Sequence, residues 1–144
     1  MMKELSPIGF QFIIISNQAG INRGIIKKNK FQVIKKNLND YFKKNKINVI
    51  DSFYCPHHWV ENYDCRKPNN GLFITASKKY SFRLDQVIYI GDHITDYQAA
   101  LNSNCFSIII ASNTNNQNYK NKLNLLLKTS SQKKAMKEIK KFYK

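Results

Sequence analysis

The chain has 144 residues, 42% of them hydrophobic and 12% aromatic, which is enough for one folded domain and too apolar for a disordered chain. Its 24 Lys and Arg against 9 Asp and Glu give a formal net charge of +15, a field that draws anions such as phosphorylated metabolites, nucleic acid or an anionic surface. The longest apolar runs, Phe12-Ile13-Ile14-Ile15 and Ile108-Ile109-Ile110-Ala111, fall far short of the roughly 20 residues of a membrane helix, and Lys3, Glu4, Pro7 and Gly9 leave no signal-peptide core, so the expected compartment is the cytoplasm.

In chain order, residues 9–15 form an apolar run after a Pro-Ile-Gly turn and read as a buried parallel strand. Ser16-Asn17 ends it, and Gly20 and Gly24 mark the following loop. Over 29–44, Phe31, Ile34, Leu38, Tyr41 and Phe42 draw one helical stripe opposite a lysine-rich face. Residues 47–54 read as a second strand. Residues 55–70 have no period, contain Pro56 and Pro68, and read as a loop. A helix is predicted over 71–80 with Leu72, Phe73 and Ala76 inward, a third strand over 86–90, and a short helix over about 96–102. Residues 106–111 read as a fourth strand. An Asn-rich loop then leads to a terminal helix with Ala135, Met136, Ile139 and Phe142 on one side. Strands alternating with helices predict an α/β, Rossmann-like parallel sheet in a single domain over 1–144.

In such sheets ligands bind beyond the carboxyl ends of the strands. The polar signals sit there: Ser16-Asn17 after the first strand, residues 55–67 after the second and Gly91-Asp92 after the third. Their expected convergence on one crevice argues for an enzyme.

The hydroxyl of Ser16 and the amide of Asn17 suit phosphate oxygens as neutral hydrogen-bond partners. Arg23 can reach a second anionic group as a two-pronged donor. An ordinary turn whose side chains bond their own backbone explains Ser16 and Asn17 as well. In the second segment, Cys55, His57 and the later Cys65 are three ligands of the kind Zn²⁺ takes. Arg66 and Lys67, on a loop stiffened by Pro68, can neutralise a transferring phosphoryl group; a solvated basic turn is the plain alternative. In the third, Asp92 directly after a buried strand and Gly91 suits Mg²⁺, which prefers hard oxygen ligands. Asp96, one helical turn on, can orient it. Asp92 as a helix N-cap and Asp96 as a first-turn acid are the competing readings.

Three cysteines in a cytoplasmic chain predict no disulfide framework, and Cys105, in an apolar setting, reads as a small buried residue. The lysines are spread among many asparagines with no nucleic-acid-binding motif, so nucleic acid is not an expected partner.

Taken together and in this order, Ser-Asn-Gln-x-Gly-Ile-x-Arg-Gly, Cys-Pro-His-His, Cys-Arg-Lys-Pro and Gly-Asp-x-x-x-Asp resemble the haloacid dehalogenase superfamily. Within it they resemble the D-glycero-D-manno-heptose 1,7-bisphosphate phosphatases and the related histidinol-phosphate phosphatases. The resemblance runs from about residue 5 to 111. It implies Mg²⁺-dependent hydrolysis of a phosphomonoester through an aspartyl phosphate, on a phosphorylated sugar or histidinol phosphate. A binding protein for sugar phosphates, without catalysis, is the alternative. By carry-over, Ser16 contacts the phosphoryl group and Asn17 the substrate, Lys67 steadies the phosphoryl group and the carboxylates, Arg66 contacts substrate, Asp92 holds Mg²⁺ and Asp96 supports it.

Two departures from the pattern stand out. The 144 residues contain no Asp-x-Asp, the motif that supplies the family's nucleophile, and the first aspartate is Asp40. The resemblance therefore implies a chain whose first central strand is missing. It places strands 9–15 and 86–90 as neighbours, paired or one empty slot apart, and leaves sheet edges open to self-association. In the zinc loop Tyr63 stands where the family has a cysteine; either His58 or water completes a structural Zn²⁺ site with Cys55, His57 and Cys65, or the loop holds no metal.

Overall fold

Runs of isoleucine become strands, because β-branched side chains favour the pleated backbone. The computed structural model describes all residues except 59, 61, 62 and 112–122, so most of the Asn-rich loop lies outside the described residues. The chain divides into two units, Met1–Arg66 and Lys67–Lys144, each with its own sheet of parallel strands.

The first unit opens with α1 (Met2–Leu5) and a 3₁₀ turn over Ser6–Ile8, which Gly9 closes at a φ of 97°. A residue with a side chain is strained there. The turn delays the first strand, so β1 is Phe12–Asn17 rather than 9–15. It pairs in parallel with β2 (Val49–Cys55), placing Ser16 opposite Tyr54 and Asn17 opposite Cys55. Between them runs α2 (Lys28–Lys44). Its inward line is Phe31, Lys35, Leu38 and Phe42, with Phe31 edge-on to Tyr54 at 5.0 Å and the Lys35 ammonium 5.5 Å from the same ring. Ile34 and Tyr41, assigned to that stripe from spacing, fall to one side of it and are half exposed. Lysine takes an inward place because its methylene stem can lie on apolar surface while the charge reaches out.

The second unit orders its strands β3-β4-β5, where β3 is Ile88–Gly91, β4 Phe106–Ile110 and β5 Leu125–Thr129. In the central strand, Ser107, Ile108 and Ile109 have no exposed surface. Strand β5 corrects the sequence reading, which ran loop straight into helix: Leu125-Leu126-Leu127 is too short an apolar run to stand out beside so much asparagine. Helix α3 (Gly71–Tyr80) buries Phe73 and Ala76. Helix α4 (Ile94–Asn102) buries Asp96, Tyr97, Ala99 and Ala100 and packs on β3 and β4. Helix α5 (Gln132–Phe142), capped by Ser131, buries Ala135 and Ile139 against β4 and β5. Strands β1 and β3 belong to different sheets and are not paired with each other. No helix among the described residues is long and apolar enough to cross a membrane.

Candidate active site

In the first unit, the β1–β2 register brings the first two polar segments together. Asn17 ends β1 opposite Cys55, which ends β2. One residue later the Gln18 N–H donates to the Cys55 carbonyl at 2.7 Å, while the Gln18 side-chain amide donates to Ser16 Oγ at 3.0 Å. Gln18 therefore fixes the Ser16 hydroxyl and ties the two strand ends. Beyond it the chain folds back through successive turns, with Gly24 left-handed at φ 68° and the Ile26 N–H on the Gly20 carbonyl at 2.9 Å. These turns present Arg23 to solvent.

The loop after β2 gathers sulfur and nitrogen. Ligand atoms of Cys55, His57 and Cys65 all lie within 4.8 Å of one another. His57 Nδ1 is 3.2 Å from Cys65 Sγ and 3.6 Å from Cys55 Sγ. Cys55 is fully buried. The two cysteines are joined as a disulfide with their Cα atoms 5.5 Å apart, correcting the expectation of free thiols. Their positions across one tight loop explain the pairing. Tyr63, at the place of a further cysteine, stacks on the His57 ring with centroids 3.6 Å apart. His58 lies outside the group, and its Nδ1 faces the Val60 N–H at 3.5 Å, so the expectation that His58 completes the set is not met by this geometry. In reduced form these three donors fit Zn²⁺ in type, and among the described residues they are one short of a closed tetrahedron. Arg66 donates from Nη1 to the His57 carbonyl at 2.9 Å and so braces the loop it was expected to reach out from.

The second unit centres on Asp96. The Lys67 ammonium donates to Asp96 Oδ1 at 2.7 Å, and both side chains are nearly buried, at 11% and 7% exposure. The Tyr89 hydroxyl donates to the same oxygen at 3.3 Å and accepts from Lys67 Nζ at 2.7 Å. Asp96 Oδ2 accepts the backbone N–H groups of Asp92 at 3.0 Å and His93 at 3.1 Å. Four donors on two oxygens fill a carboxylate's acceptor sites. Burial pushes the Asp96 carboxyl up, but the hydrogen bond and charge of Lys67, with the two N–H groups, outweigh it and hold the group below its ordinary value. Asp96 therefore orients its neighbours and is not available as a cation ligand. Gly91 makes this possible: a Cβ there would collide with the Asp96 side chain.

Asp92 is left in a different state. The N-cap of α4 is His93, whose ring accepts from the Thr95 N–H at 3.3 Å while Asp96 takes the His93 N–H. The capping role considered for Asp92 is thus filled elsewhere. Its carboxylate is exposed at the carboxyl end of β3 and has no hydrogen bond or ion pair among the described residues. One free carboxylate with open surroundings fits Mg²⁺, which keeps several waters and takes few protein oxygens.

Sequence reasoning passed over three residues. Tyr89 reads as one more apolar strand residue; the signal is a hydroxyl on a strand flanked by isoleucines, which burial obliges to find partners. Gln18 reads in the sequence only as part of a motif. Asn102 donates to the Pro68 carbonyl at 2.9 Å, and Asn70 donates to the Asn102 carbonyl at 2.7 Å, which clamps the backbone beside Lys67 to the end of α4.

Residues 9–110 match the family model described as haloacid dehalogenase-like hydrolase. The chain is 32% identical over 105 residues to a D-glycero-alpha-D-manno-heptose-1,7-bisphosphate 7-phosphatase of Photorhabdus laumondii, covering 68% of this chain and 57% of the relative. It is 34% identical over 104 residues to a D-glycero-beta-D-manno-heptose-1,7-bisphosphate 7-phosphatase of Helicobacter pylori, covering 72% and 60%. Among solved structures it resembles a D,D-heptose 1,7-bisphosphate phosphatase from B. bronchiseptica, complexed with magnesium and phosphate. The TM-score is 0.71 at 25% identity, over 75% of this chain and 60% of the other. The chain thus spans about 60% of the length of these relatives.

Proposed function

The chain belongs to the haloacid dehalogenase-like hydrolase family, and from that membership we propose that it is the phosphate-handling part of a Mg²⁺-dependent phosphatase acting on D-glycero-D-manno-heptose 1,7-bisphosphate. The observation that carries the reading is the pairing of Lys67 with Asp96 at 2.7 Å beside an Asp92 carboxylate that caps no helix and pairs with no cation among the described residues. This is an arrangement for presenting one fixed cation and one free anion at a strand end. The heptose substrate is supported by the names of the relatives.

Each residue's part follows from its chemistry. Lys67 offsets charge on a phosphoryl group, and Asp96 keeps that ammonium in place. Asp92 would hold Mg²⁺, which supplies further charge neutralisation when bound. Ser16 and Asn17 offer neutral hydrogen bonds to phosphate or sugar oxygens, and Arg23 suits a second phosphate. Arg66 is spent at least in part on His57. In reduced protein Cys55, His57 and Cys65 would hold a structural Zn²⁺ that shapes the loop before Lys67. The proposal includes the cytoplasm, where thiols stay reduced. It includes self-association too, since the β1–β2 sheet has two strands and such a pair is marginal in water.

Because the 144 residues hold no Asp-x-Asp, binding of the sugar phosphate without turnover is a second reading for this chain by itself. Histidinol phosphate is the alternative ligand. Calorimetry with Mg²⁺ tests the proposal. Heptose bisphosphate is expected to bind more tightly than histidinol phosphate, and Lys67→Met to abolish the difference from buffer. Equal affinity for the two ligands, or heptose binding untouched in Lys67→Met, would sink it.

A further inference from the structure

Lys67 is held by more than its ion pair. A lysine ammonium sits on four rotatable carbons, and one carboxylate partner leaves it free to swing about that contact. Here Nζ has a second partner, the Tyr89 hydroxyl, at the same 2.7 Å as Asp96 Oδ1. The Tyr89 O–H in turn donates to that carboxylate oxygen at 3.3 Å, closing a three-membered ring of hydrogen bonds. Nζ lies 5.4 Å from the Tyr89 ring centroid. The hydroxyl oxygen projects outward from that centroid, so 2.7 Å to the oxygen and 5.4 Å to the centroid place Nζ beyond the hydroxyl and not over the ring face. The contact is a hydrogen bond to oxygen, with direction, rather than a cation–π contact.

Tyr89 itself has little freedom. It lies within β3, whose register with β4 sets it opposite Ser107, and its ring meets Phe73 of α3 edge-on, 4.8 Å between centroids at 62°. Phenylalanine would serve that packing equally, so the hydroxyl is what needs explaining. Burial, then the Asp96 and Asp92 carboxylates, push the phenol far above its ordinary value. It therefore stays protonated and keeps both its donor and its acceptor role at any physiological pH.

We propose that Tyr89 is a positioning residue for Lys67: its hydroxyl fixes the direction of the ammonium, so that Lys67 is aimed before any phosphate arrives. This deepens the reading of Lys67 as a phosphoryl ligand and rests on it for its functional consequence. Pre-aiming matters because a cation that must first be ordered loses part of its binding energy to that ordering.

The test uses ¹⁵N-lysine-labelled protein, with inorganic phosphate plus Mg²⁺ as the probe. In the unsubstituted protein the Lys67 ammonium should give a resolved, slowly exchanging signal, assigned by its absence in Lys67→Met, with cross-peaks to the Tyr89 ring protons. Tyr89→Phe should broaden that signal and weaken phosphate binding about tenfold, the size of one hydrogen bond to a charged group, with secondary structure unchanged. A purely structural role would alter stability and leave the ammonium signal sharp. An unbroadened signal with unchanged phosphate affinity in Tyr89→Phe overturns the inference. If Tyr89→Phe fails to fold, the cross-peaks in the unsubstituted protein decide, and their absence overturns it equally. If the unsubstituted protein binds no phosphate, Lys67 is not a phosphoryl ligand, while the ammonium signal still decides whether Tyr89 positions it.

Discussion

Lys67 Nζ and Asp96 Oδ1 meet at 2.7 Å across 29 positions of sequence, and almost no water reaches either. A nearly buried pair of this kind is costly to break from one side, because the remaining charge is left without compensation. Asp96→Asn is therefore expected to cost about 3 kcal/mol at neutral pH, a large part of a domain's stability of about 5–15 kcal/mol. The pH dependence has a definite sign. The Asp96 carboxyl titrates below its ordinary 3.8 in the folded chain. Its contribution is present at all pH above that ordinary value and is lost as pH falls through the folded value. Urea unfolding at pH 7 and at about pH 3 checks this: the gap between the two proteins should narrow in acid. A gap of constant size would mean that the pair does not carry the difference.

Gly91 offers an independent probe of the same geometry. A methyl group there would overlap the Asp96 Cβ and Cγ, which are not the far end of a flexible chain. Gly91→Ala should therefore push Asp96 away from the strand end and cost about 1–3 kcal/mol, the range for overfilling a packed site. The local readout is amide hydrogen exchange. Asp92 and His93 donate their N–H groups to Asp96 Oδ2, so both should exchange faster in the variant. Unchanged protection at both would show that the close approach is not required.

How much of this was legible beforehand depended on what kind of signal each residue leaves. The helix over 71–80 follows from periodicity and the first four strands from their apolar runs, with end shifts of up to three residues, whereas the pairing of strands, which is long-range, and β5 did not follow. The start of β1 moved from residue 9 to Phe12, since a glycine in a left-handed turn and a glycine before a strand look alike in sequence. Asp92 and Asp96 were legible as a pair through their spacing. Their division of labour was not, because it depends on which of them meets Lys67, a long-range contact. The buried hydroxyl of Tyr89 signals that it needs partners, but which partners it meets is again a long-range matter. The pairing of Cys55 with Cys65 does not follow from the argument of compartment, which speaks to chemistry and not to proximity.

Catalysis by these 144 residues alone is expected to be absent. Lys67, Asp92, Ser16 and Asn17 can bind and offset charge, but the sequence supplies no Asp-x-Asp to accept a phosphoryl group. Phosphate release from heptose bisphosphate and from histidinol phosphate, with Mg²⁺, should not exceed the protein-free rate. Clear turnover that disappears in Asp92→Asn would reveal a nucleophile elsewhere in the chain.

The cysteine loop makes a last prediction in which two states exclude each other. Zn²⁺ takes thiolates, and a sulfur committed to a disulfide is no longer one. Cys55 and Cys65 are paired with each other here, and His57 Nδ1 lies within 3.6 Å of both sulfurs, so one small site serves either bond or ion. Cys105 stands apart, fully buried, with its thiol pushed up to about 12 chiefly by burial, and it should not react in the folded protein. Protein purified under reducing conditions with zinc present should carry close to one equivalent, and should release it as two protein thiols are oxidised to a disulfide by a peroxide or a small disulfide. His57→Ala should lower zinc affinity by more than the roughly 10–100-fold that loss of a group merely supporting a ligand costs, because His57 is itself a ligand. Tyr63→Cys adds a sulfur on the residue stacked against His57, and should tighten zinc binding if the site is one ligand short. Elemental analysis with parallel thiol titration decides the matter. Less than about a tenth of an equivalent of zinc in fully reduced protein, with both loop thiols freely titrating, would leave the loop with no metal role.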